Sequence, residues 1–493
     1  MQLAIDITTV HGYEQFLRVR QLPVYRFSGD YVWFPDEYAE LVGIETKAEA
    51  AGDYVPSPFL MDYQAAIVAM SVRRRKFCVF ADCGLGKTLM FLDYARHVLT
   101  KLAAGKAILI VSPVMVIGQT LAEAAKFYGD TLPIERVPSG HVGEWLREGT
   151  ARIGITNYEA FTKHVPRGRL GALIVDESSM LKSHYGKWGT EIVRLGKGLR
   201  WKWCGTGTPA PNDRIEYANH GVLMDAFPTI NSFLAKYFVN RGQTDNRWEI
   251  KPHAVKPFYR DMAHWCIFLT NPETYGWKDN TTCLPPIHVH IHDVDLTEEQ
   301  RRIVNDKTGE LFVVSAGGII GRTRLAGIAK GHDGTKRVDT HKPKFIADLI
   351  ASWPDESTIV WCLYNREQRI IEEALPGAAS LDGDTPLAER ERIIEDFKAR
   401  RVRVLISKPK ILGFGLNLQV ATRQVFSGLQ DSYENFYQAV KRSNRYGSTR
   451  PLNVHIPITE IERPMIDTVL QKAKRVQHDA EQIERSFHDA AAR

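Results

Sequence analysis

No hydrophobic run in this chain of 493 residues approaches the roughly 18 residues that a helix needs to cross a bilayer. The longest apolar runs, such as residues 107–111, have only the length of a strand. The N-terminus also lacks a basic segment ahead of an apolar core, so no secretory signal peptide is predicted. These absences exclude a membrane-spanning protein and predict a cytoplasmic one without a membrane partner.

The six cysteines are scattered and include no C-x-x-C pair. That spacing argues against a zinc ribbon and against a disulfide framework, and it predicts reduced, partly buried thiols. Internal repeats and low-complexity segments are missing too, so a repeat architecture and a disordered chain are excluded. What remains is an ordinary globular protein, whose net charge of +6 is only a mild basic bias.

Buried runs of strand length alternate with helical stretches in two regions of the chain. Continuous apolar strands separated by helices indicate parallel sheets with helices on both faces. We therefore predict an α/β fold with two doubly wound lobes and a mainly helical insertion, in which residues 258–268 form a helix and 287–294 a strand. The predicted segments are an N-terminal accessory region (1–54), a first lobe (55–227), the insertion (228–335), a second lobe (336–460) and a C-terminal helix (461–493).

Residues 81–88, with the sequence ADCGLGKT, lie between a buried strand and a helix, as a phosphate-binding loop does. Glycines let backbone N–H groups point inward, and the helix N-terminus adds the positive end of its dipole. Lys87, predicted to be exposed, would reach the β- and γ-phosphates, and the Thr88 hydroxyl would bind Mg²⁺. Ala81 stands where the strict pattern has glycine. A G-K-T triplet also occurs by chance, but the strand and helix around this one favour a nucleotide site.

A second apolar strand ends in the adjacent carboxylates Asp176 and Glu177. The aspartate is placed to hold Mg²⁺, and the glutamate to orient or deprotonate an attacking water. The alternative is a strand followed by a solvated acidic turn. Together with the phosphate loop, the pair predicts a site that hydrolyses a nucleoside triphosphate.

Further motifs follow in order along the chain. The first half contains Tyr63-Gln64, Val111-Ser112-Pro113, ITNYE at 155–159, and GTPAPN at 207–212. The second half contains LDGDT at 381–385, Ser407-Lys408, GFGLNL at 413–418, and QAVKRSNRYG at 438–447. This ordered set resembles the superfamily-two helicases and translocases, specifically the Swi/Snf-type DNA-dependent ATPases, in a compact, phage-like version.

The resemblance implies two RecA-like lobes that hydrolyse ATP with Mg²⁺ while bound to nucleic acid, with double-stranded DNA favoured. The implied catalytic residues are Lys87, Asp176, Glu177, Arg442 and Arg445, with Thr88 and Asp176 as metal ligands. The implied ATP-binding residues are Gln64, Gly84, Leu85, Gly86, Lys87, Thr88, Gly415, Asn417 and Gln438. The implied nucleic-acid contacts are Ser112, Thr156, Asn157, Lys182, Gly383, Ser407 and Lys408.

Arg442 and Arg445 are three residues apart, so on a helix both would project from one face. We expect Arg445 to act as an arginine finger and Arg442 to contact the phosphates beside it. The alternative is a pair of solvated basic residues on an ordinary helix. The chain departs from the family where Ser179 replaces the usual histidine, and where the basic cluster before Leu284 is missing.

Other residues allow more than one interpretation. The basic run 73–76 is either a solvated helix end or a DNA contact. Trp33, Phe34 and Trp265 could stack on bases, whereas Trp361 lies in an apolar strand and is predicted to pack in the core. No motif assigns a role to residues 1–50, which bind DNA or a partner or simply cap the first lobe.

The predicted function is ATP-dependent movement on duplex DNA without sequence preference, in the host cytoplasm if the protein is phage-encoded. Few residues separate Leu418 from Gln438, which leaves little room for a strand-separating hairpin. The alternatives are a strand-separating DNA or RNA helicase, and a regulatory nucleic-acid-binding module with weak ATPase activity. A P-loop kinase would leave the second lobe without a role. Protein partners and pathway are not predicted.

Overall fold

The structure is a computed structural model. It describes residues 1–22, 24–35, 38–44, 53–182, 186–242, 248–278, 284–306, 319–412, 417–429, 433–445 and 448–491. The chain forms two compact units, Met1–Asn280 with Val476–Arg493, and Thr281–Arg475. Gly415, with most of its motif, lies outside the described residues, as do the last two residues of the 438–447 motif.

The first unit contains a seven-stranded sheet in which every described pair of neighbours is parallel. Its strands, in spatial order, are Cys266–Leu269, Lys76–Ala81, Trp201–Gly205, Leu170–Asp176, Ala107–Val111, Ile153–Thr156 and Glu135–Arg136. The helices are Asp62–Arg74, Lys87–Lys101, Val114–Tyr128, Val142–Glu148, Lys187–Gly196 and Ala218–Leu223.

The central strands of this sheet are buried on both faces. All five residues of Ala107–Val111 are inaccessible, and alternate side chains enter different cores, with Leu109 and Val111 in one and Ile108 and Ile110 in the other. Successive strand residues point to opposite faces, so a strand covered on both sides must be apolar throughout. The predicted parallel-sheet lobe is confirmed.

Residues 228–280 do not separate from this unit, which differs from the predicted boundary. They form the helices Ile230–Tyr237 and Val255–Met262, the paired strands Phe238–Asn240 and Trp248–Ile250, and the strand Cys266–Leu269. That last strand pairs in parallel with Lys76–Ala81 at the sheet edge. The prediction of a helix through residue 268 is therefore wrong, because the apolar run after Trp265 is buried against the sheet.

The N-terminal region is a small α/β layer with its own core. The strands Gln2–Ala4, Tyr31–Trp33 and Arg26–Ser28 form an antiparallel sheet with Tyr31–Trp33 in the centre. The helix Val10–Arg20 packs on this sheet, and the buried Val19 of the helix and Val32 of the sheet belong to one core. The sequence predicted the short strands but not this helix.

The second unit contains a six-stranded sheet that is also parallel at every described pair. Its strands, in spatial order, are Ile287–Asp293, Leu452–Ile458, Arg423–Phe426, Thr358–Trp361, Val404–Ser407 and Ala379–Ser380. The helices are Glu298–Asp306, Ile319–Ala329, Lys342–Ala351, Asn365–Ala374, Leu387–Lys398, Pro409–Leu412 and Tyr433–Val440. Trp361 is buried and its indole N–H donates to Gln424, which confirms its core position.

A buried ionic cluster joins distant parts of the second unit. The ammonium groups of Lys330 and Lys342 contact the two carboxylate oxygens of Glu462 at 2.7 and 2.5 Å. The Thr459 backbone N–H and hydroxyl also donate to this carboxylate. Buried charges are tolerated when they are paired and hydrogen-bonded, as these are.

The predicted C-terminal helix is present as Arg463–Ala491. From Val476 onward its residues belong to the first unit, where the Asp479 carboxylate pairs with Arg214 at 2.5 Å and accepts from the Tyr259 hydroxyl at 2.8 Å. Among the described residues, no helix is both long enough and apolar enough to cross a membrane.

Candidate active site

The phosphate loop connects the strand Lys76–Ala81 to the helix Lys87–Lys101. Gly84 and Gly86 adopt φ values of +91° and +74°, in the left-handed region that favours glycine. At Gly86 space is limiting as well, because a Cβ atom there would lie 2.2 Å from Nε2 of Gln64. The loop sequence is therefore matched to its backbone.

The N-terminus of this helix is suited to an anion. First-turn N–H groups have no intrahelical acceptor, and Gly86 at the N-cap has no side chain to accept from them. The Lys87 ammonium donates to the carbonyl oxygens of Ala81 and Asp82 at 2.8 and 3.3 Å. Lys87 is only 9% exposed, so the prediction of an exposed lysine is wrong. Its position beside the loop nevertheless suits phosphate binding.

Gln64 and Tyr63 hold the phosphate loop from the neighbouring helix. The Gln64 amide and the Tyr63 hydroxyl both donate to the Leu85 carbonyl, at 3.2 and 3.1 Å. Gln64 also accepts from the Met61 backbone N–H at 3.0 Å. Gln64 thus holds the loop backbone in place, and ATP binding by this residue stays a prediction.

The acid pair lies at the end of the strand Leu170–Asp176. The Ser112 hydroxyl donates to Oδ2 of Asp176 at 2.9 Å. Burial, and next the charge of Glu177, raise the pKa of Asp176 to about 7, while Ser112 and the charge of Lys87 act in the opposite direction. Because the hydrogen bond from Ser112 and the charge of Lys87 do not outweigh burial and the charge of Glu177, a bound cation would stabilise the ionised form of Asp176.

The donors at this site fit Mg²⁺. Thr88 follows Lys87 at the start of the loop helix and offers a hydroxyl, and Asp176 offers a carboxylate. Hard oxygen donors of this kind are what Mg²⁺ prefers. The strand before the loop and the strand that ends in Asp176 are both neighbours of the strand Trp201–Gly205, in which Gly205 is opposite Val79 and Asp176.

Thr206 and Tyr158, which the sequence did not single out, position the acid pair. Glu177 has φ +48°, and its Oε2 accepts from the Thr206 hydroxyl at 3.3 Å. The buried Tyr158 hydroxyl donates to the carbonyl oxygens of Asp176 and Glu177, at 2.6 and 3.2 Å. Tyr158 lies inside the ITNYE motif, which was interpreted only as a nucleic-acid element.

Ser178 and Ser179 follow the acid pair and are both buried. Nε2 of His220 lies 3.0 Å from the Ser178 hydroxyl, and burial lowers the pKa of this histidine to about 4. A neutral histidine therefore contacts the motif from a separate helix. Ser179, where the family usually has histidine, has a buried hydroxyl without a hydrogen-bond partner among the described residues.

The predicted nucleic-acid contacts of the first unit differ in accessibility. The side chains of Ser112 and Thr156 are fully buried, and the Ser112 backbone N–H donates to the Thr156 carbonyl oxygen at 2.9 Å. Asn157 accepts from the Glu159 backbone N–H at 3.0 Å and caps a short helix, and Lys182 is half-buried. Their contacts with nucleic acid stay predictions.

In the second unit, Gly383 is exposed in a turn stabilised by the Asp382 carboxylate, which accepts from the Thr385 backbone N–H at 3.0 Å. The Ser407 side chain is buried and donates to the Leu381 carbonyl at 2.9 Å. Lys408 donates to the Asn365 side chain. Gly383 and Lys408 are thus the members of this group that lie at the surface.

The two arginines are not on a helix, so the prediction that they share a helical face is wrong. The helix ends at Val440, and the chain then turns. Arg442 is 1% exposed, whereas Arg445 is half-buried and donates from Nε to the Lys441 carbonyl at 3.1 Å. Of the remaining predicted ATP-binding residues, Asn417 is exposed and Gln438 is buried.

Among the predicted stacking aromatics, Phe34 and Trp265 are buried, and Trp33 is 49% exposed. The basic run 73–76 lies at a helix end and the start of a strand, where Lys76 pairs with Asp225 at 3.0 Å. The structure thus gives Lys76 a structural partner, and DNA contact by the run stays a prediction.

Lys87 and the acid pair lie at the carboxyl ends of strands in one parallel sheet, where α/β folds place bound nucleotides. The sequence also matches two known domain families. Residues 63–341 match the SNF2-related domain, and residues 341–447 match the helicase conserved C-terminal domain.

Similar proteins come from a phage and from bacteria. Putative protein p41 of Acyrthosiphon pisum secondary endosymbiont phage 1 is 23% identical, over 82% of this chain and 92% of that protein. Zorya protein ZorD of Escherichia coli is 22% identical, over 82% of this chain and 42% of that protein. The putative ATP-dependent helicase/translocase YwqA of Bacillus subtilis is 23% identical, over 78% of this chain and 44% of that protein. The chain thus spans less than half of the two bacterial proteins.

Among solved structures, the Sulfolobus solfataricus SWI2/SNF2 ATPase core in complex with dsDNA is 19% identical. The similarity covers 88% of this chain and 97% of that chain, with a TM-score of 0.39.

These domains define an ATP-hydrolysing enzyme of the helicase class. The SNF2-related domain alone covers more than half of the residues, so the chain belongs to the SNF2-related family. The two matched domains support ATP-dependent nucleic-acid translocase activity.

Proposed function

We propose that this protein moves along duplex DNA, without sequence preference, by hydrolysing ATP with Mg²⁺. The observation that carries the proposal is the common strand neighbour of the phosphate loop and the acid pair, because Gly205 is opposite both Val79, just before the loop, and Asp176. A phosphate loop with its lysine, next to a carboxylate pair that Ser112 and Tyr158 hold in place, is suited to phosphoryl transfer to water.

Each residue of the site has a role in this chemistry. Lys87 and the N–H groups at the start of its helix would bind the phosphates. Thr88 and Asp176 would hold Mg²⁺, which when bound neutralises charge on the phosphates. Glu177, held by Thr206, would orient the attacking water and accept its proton. Arg445 remains the proposed arginine finger.

Movement along the duplex is favoured over strand separation by the segment between Leu418 and Gln438. Its described residues form the strand Arg423–Phe426 and the start of the helix Tyr433–Val440. Those residues include no β-hairpin that could act as a wedge. Two positions proposed for DNA, the exposed Gly383 and the half-buried Lys408, are suited to backbone contacts, which carry no sequence information.

The proposal is tested by ATP hydrolysis with a panel of single- and double-stranded DNA and RNA. We expect duplex DNA of any sequence to stimulate hydrolysis, and the apparent affinity to fall steeply as salt rises. Triplex displacement then reports movement along a duplex, and release of a labelled strand reports unwinding. RNA preference, sequence preference or strand release without triplex displacement would overturn the proposal.

We also propose that the protein acts in the cytoplasm. A substrate of chromosomal or phage DNA puts the protein in the cytoplasm, and the phage relative is consistent with a host cytoplasm.

A further inference from the structure

The N-terminal sheet has one open face. The side chains of Leu3 and Val32 point to the side that shares a core with the helix Val10–Arg20. Neighbouring residues along each strand point to the opposite side. That second face consists of residues that the structure shows as exposed, and they are Gln2, Ala4, Arg26, Ser28, Tyr31 and Trp33.

Two aromatic rings occupy the middle of this open face. Tyr31 and Trp33 lie two positions apart on the central strand, and each is 49% exposed. Across the sheet, Trp33 is opposite Gln2 on one side and Arg26 on the other. Among the residues that the structure describes, no hydrogen bond or ring contact engages the side chains of Tyr31, Trp33 or Arg26.

The charge of this face differs from that of the region around it. Residues 1–44 contain more acidic than basic side chains. On the open face, the one charged side chain among the described strand residues is Arg26, which is positive. The acidic excess of the surrounding region opposes a polyanion, so Arg26 is the group of this face that can hold a phosphate beside the two rings.

We propose that this face binds single-stranded DNA, with one base stacked on Tyr31, a second on Trp33, and a phosphate held by Arg26. Residues two apart on a strand are about 6.6 Å apart, so each ring can take a separate base. Aromatic stacking on exposed sheet residues is tolerant of sequence, because every base has a π-face. The region lies before both matched family domains, the first of which begins at residue 63.

This site would give the enzyme a preference for DNA that has single-stranded and duplex parts together. The binding itself does not rest on the proposed translocation. It needs neither ATP nor a duplex, so its test and the test of duplex-stimulated hydrolysis can fail separately.

The test is the anisotropy of a labelled oligo(dT) of about 16 nucleotides, titrated with the full chain without ATP. We expect Trp33→Ala and Tyr31→Ala each to weaken binding about tenfold, and Trp33→Phe, which keeps a ring, to restore most of it. Arg26→Gln should flatten the salt dependence by about 0.7 in the logarithmic slope, the value for one phosphate of a single strand.

Tyr13→Ala is the matched control, because Tyr13 is equally exposed, at 52%, but lies on the helix of the same region. We expect this variant to bind oligo(dT) like the wild type. Unchanged binding by Trp33→Ala, an equal loss in Tyr13→Ala, or tighter binding of oligo(U) than of oligo(dT) would each overturn the proposal.

Discussion

The hydroxyl of Ser112 donates a 2.9 Å hydrogen bond to the carboxylate of Asp176, inside the first unit. Asp176 ends one strand, and Ser112 directly follows the neighbouring parallel strand, in which Val111 is opposite Val175. The motif that includes Ser112 was interpreted from sequence as a nucleic-acid contact. The structure instead connects its side chain to the carboxylate proposed to bind Mg²⁺.

Ser112→Ala should therefore impair ATP hydrolysis directly. Loss of a hydrogen bond to a charged group is worth about 1.5–3 kcal/mol, so we expect a decrease in kcat of about tenfold or more. Phosphate release without nucleic acid measures it. Thr156→Val is the matched control, because this buried hydroxyl ends the adjacent strand and has no hydrogen-bond partner among the described residues. Equal activity of the two variants would contradict the role given to Ser112.

Lys87→Ala should abolish hydrolysis and lower the melting temperature only slightly. The ammonium group is proposed to bind phosphate, and the fold loses just its hydrogen bonds to two loop carbonyls. Phosphate release and thermal unfolding measure the two effects. Lys101→Ala, at the other end of the same helix, is the control. Retention of more than about a tenth of the wild-type rate is incompatible with the assigned role.

Glu177→Gln should bind ATP and DNA but hydrolyse ATP at least about a hundredfold more slowly. The amide oxygen of glutamine can still accept from Thr206, so the geometry is kept while the base is lost. A fluorescent ATP analogue measures binding, and phosphate release measures turnover. Glu159→Gln, an exposed carboxylate near the next strand end, should behave like the wild type. Loss of ATP binding in Glu177→Gln would show a structural role instead.

Arg445→Ala and Arg442→Ala should differ in kind. Arg445 is half-buried, and its loss should lower stimulated hydrolysis about a thousandfold with little change in stability. Arg442 is 1% exposed, and its removal should destabilise the second unit by about 2 kcal/mol or more. Phosphate release and thermal unfolding of both variants separate the two effects. A stable Arg442→Ala protein would contradict the structural role of Arg442. An active Arg445→Ala protein would contradict the role of Arg445 as an arginine finger.

The ionic cluster of the second unit should make stability depend on acidity. Burial opposes ionisation of Glu462, but the charges of Lys330 and Lys342 outweigh it and hold its pKa at about 2. A carboxylate with a lowered folded-state pKa stabilises above its unfolded value near 4.5, and that stability is lost as the pH falls towards 2.

Denaturant unfolding between pH 2 and 7 measures this contribution. Glu462→Gln should be destabilised at pH 7, because it removes the hydrogen-bonded carboxylate from two buried ammonium groups, and its acid dependence should be shallower than that of the wild type. Glu356→Gln is the control, since that carboxylate pairs with Arg450 near the surface. Identical acid limbs for wild type and Glu462→Gln would contradict the role of the cluster.

The sequence alone predicted the features that depend on residues close together along the chain. The phosphate loop, the acid pair, the apolar strands and the terminal helix each have a local pattern of glycine, charge or hydrophobicity, and their local physics decides their form. Trp361 was placed in the core for the same reason, because it lies within an apolar strand.

The tertiary structure alone decided what these elements contact. The Ser112–Asp176 bond spans 64 positions of sequence, and the Lys330–Glu462 pair spans 132. Such contacts depend on the order of strands in a sheet, which no local pattern specifies. For the same reason residues 266–268 were assigned to a helix although they lie in the edge strand Cys266–Leu269. Arg442 was likewise assigned to a helix face although it is buried beyond the helix end. Local sequence specifies chemistry and secondary structure, whereas burial and partners follow from packing between distant segments.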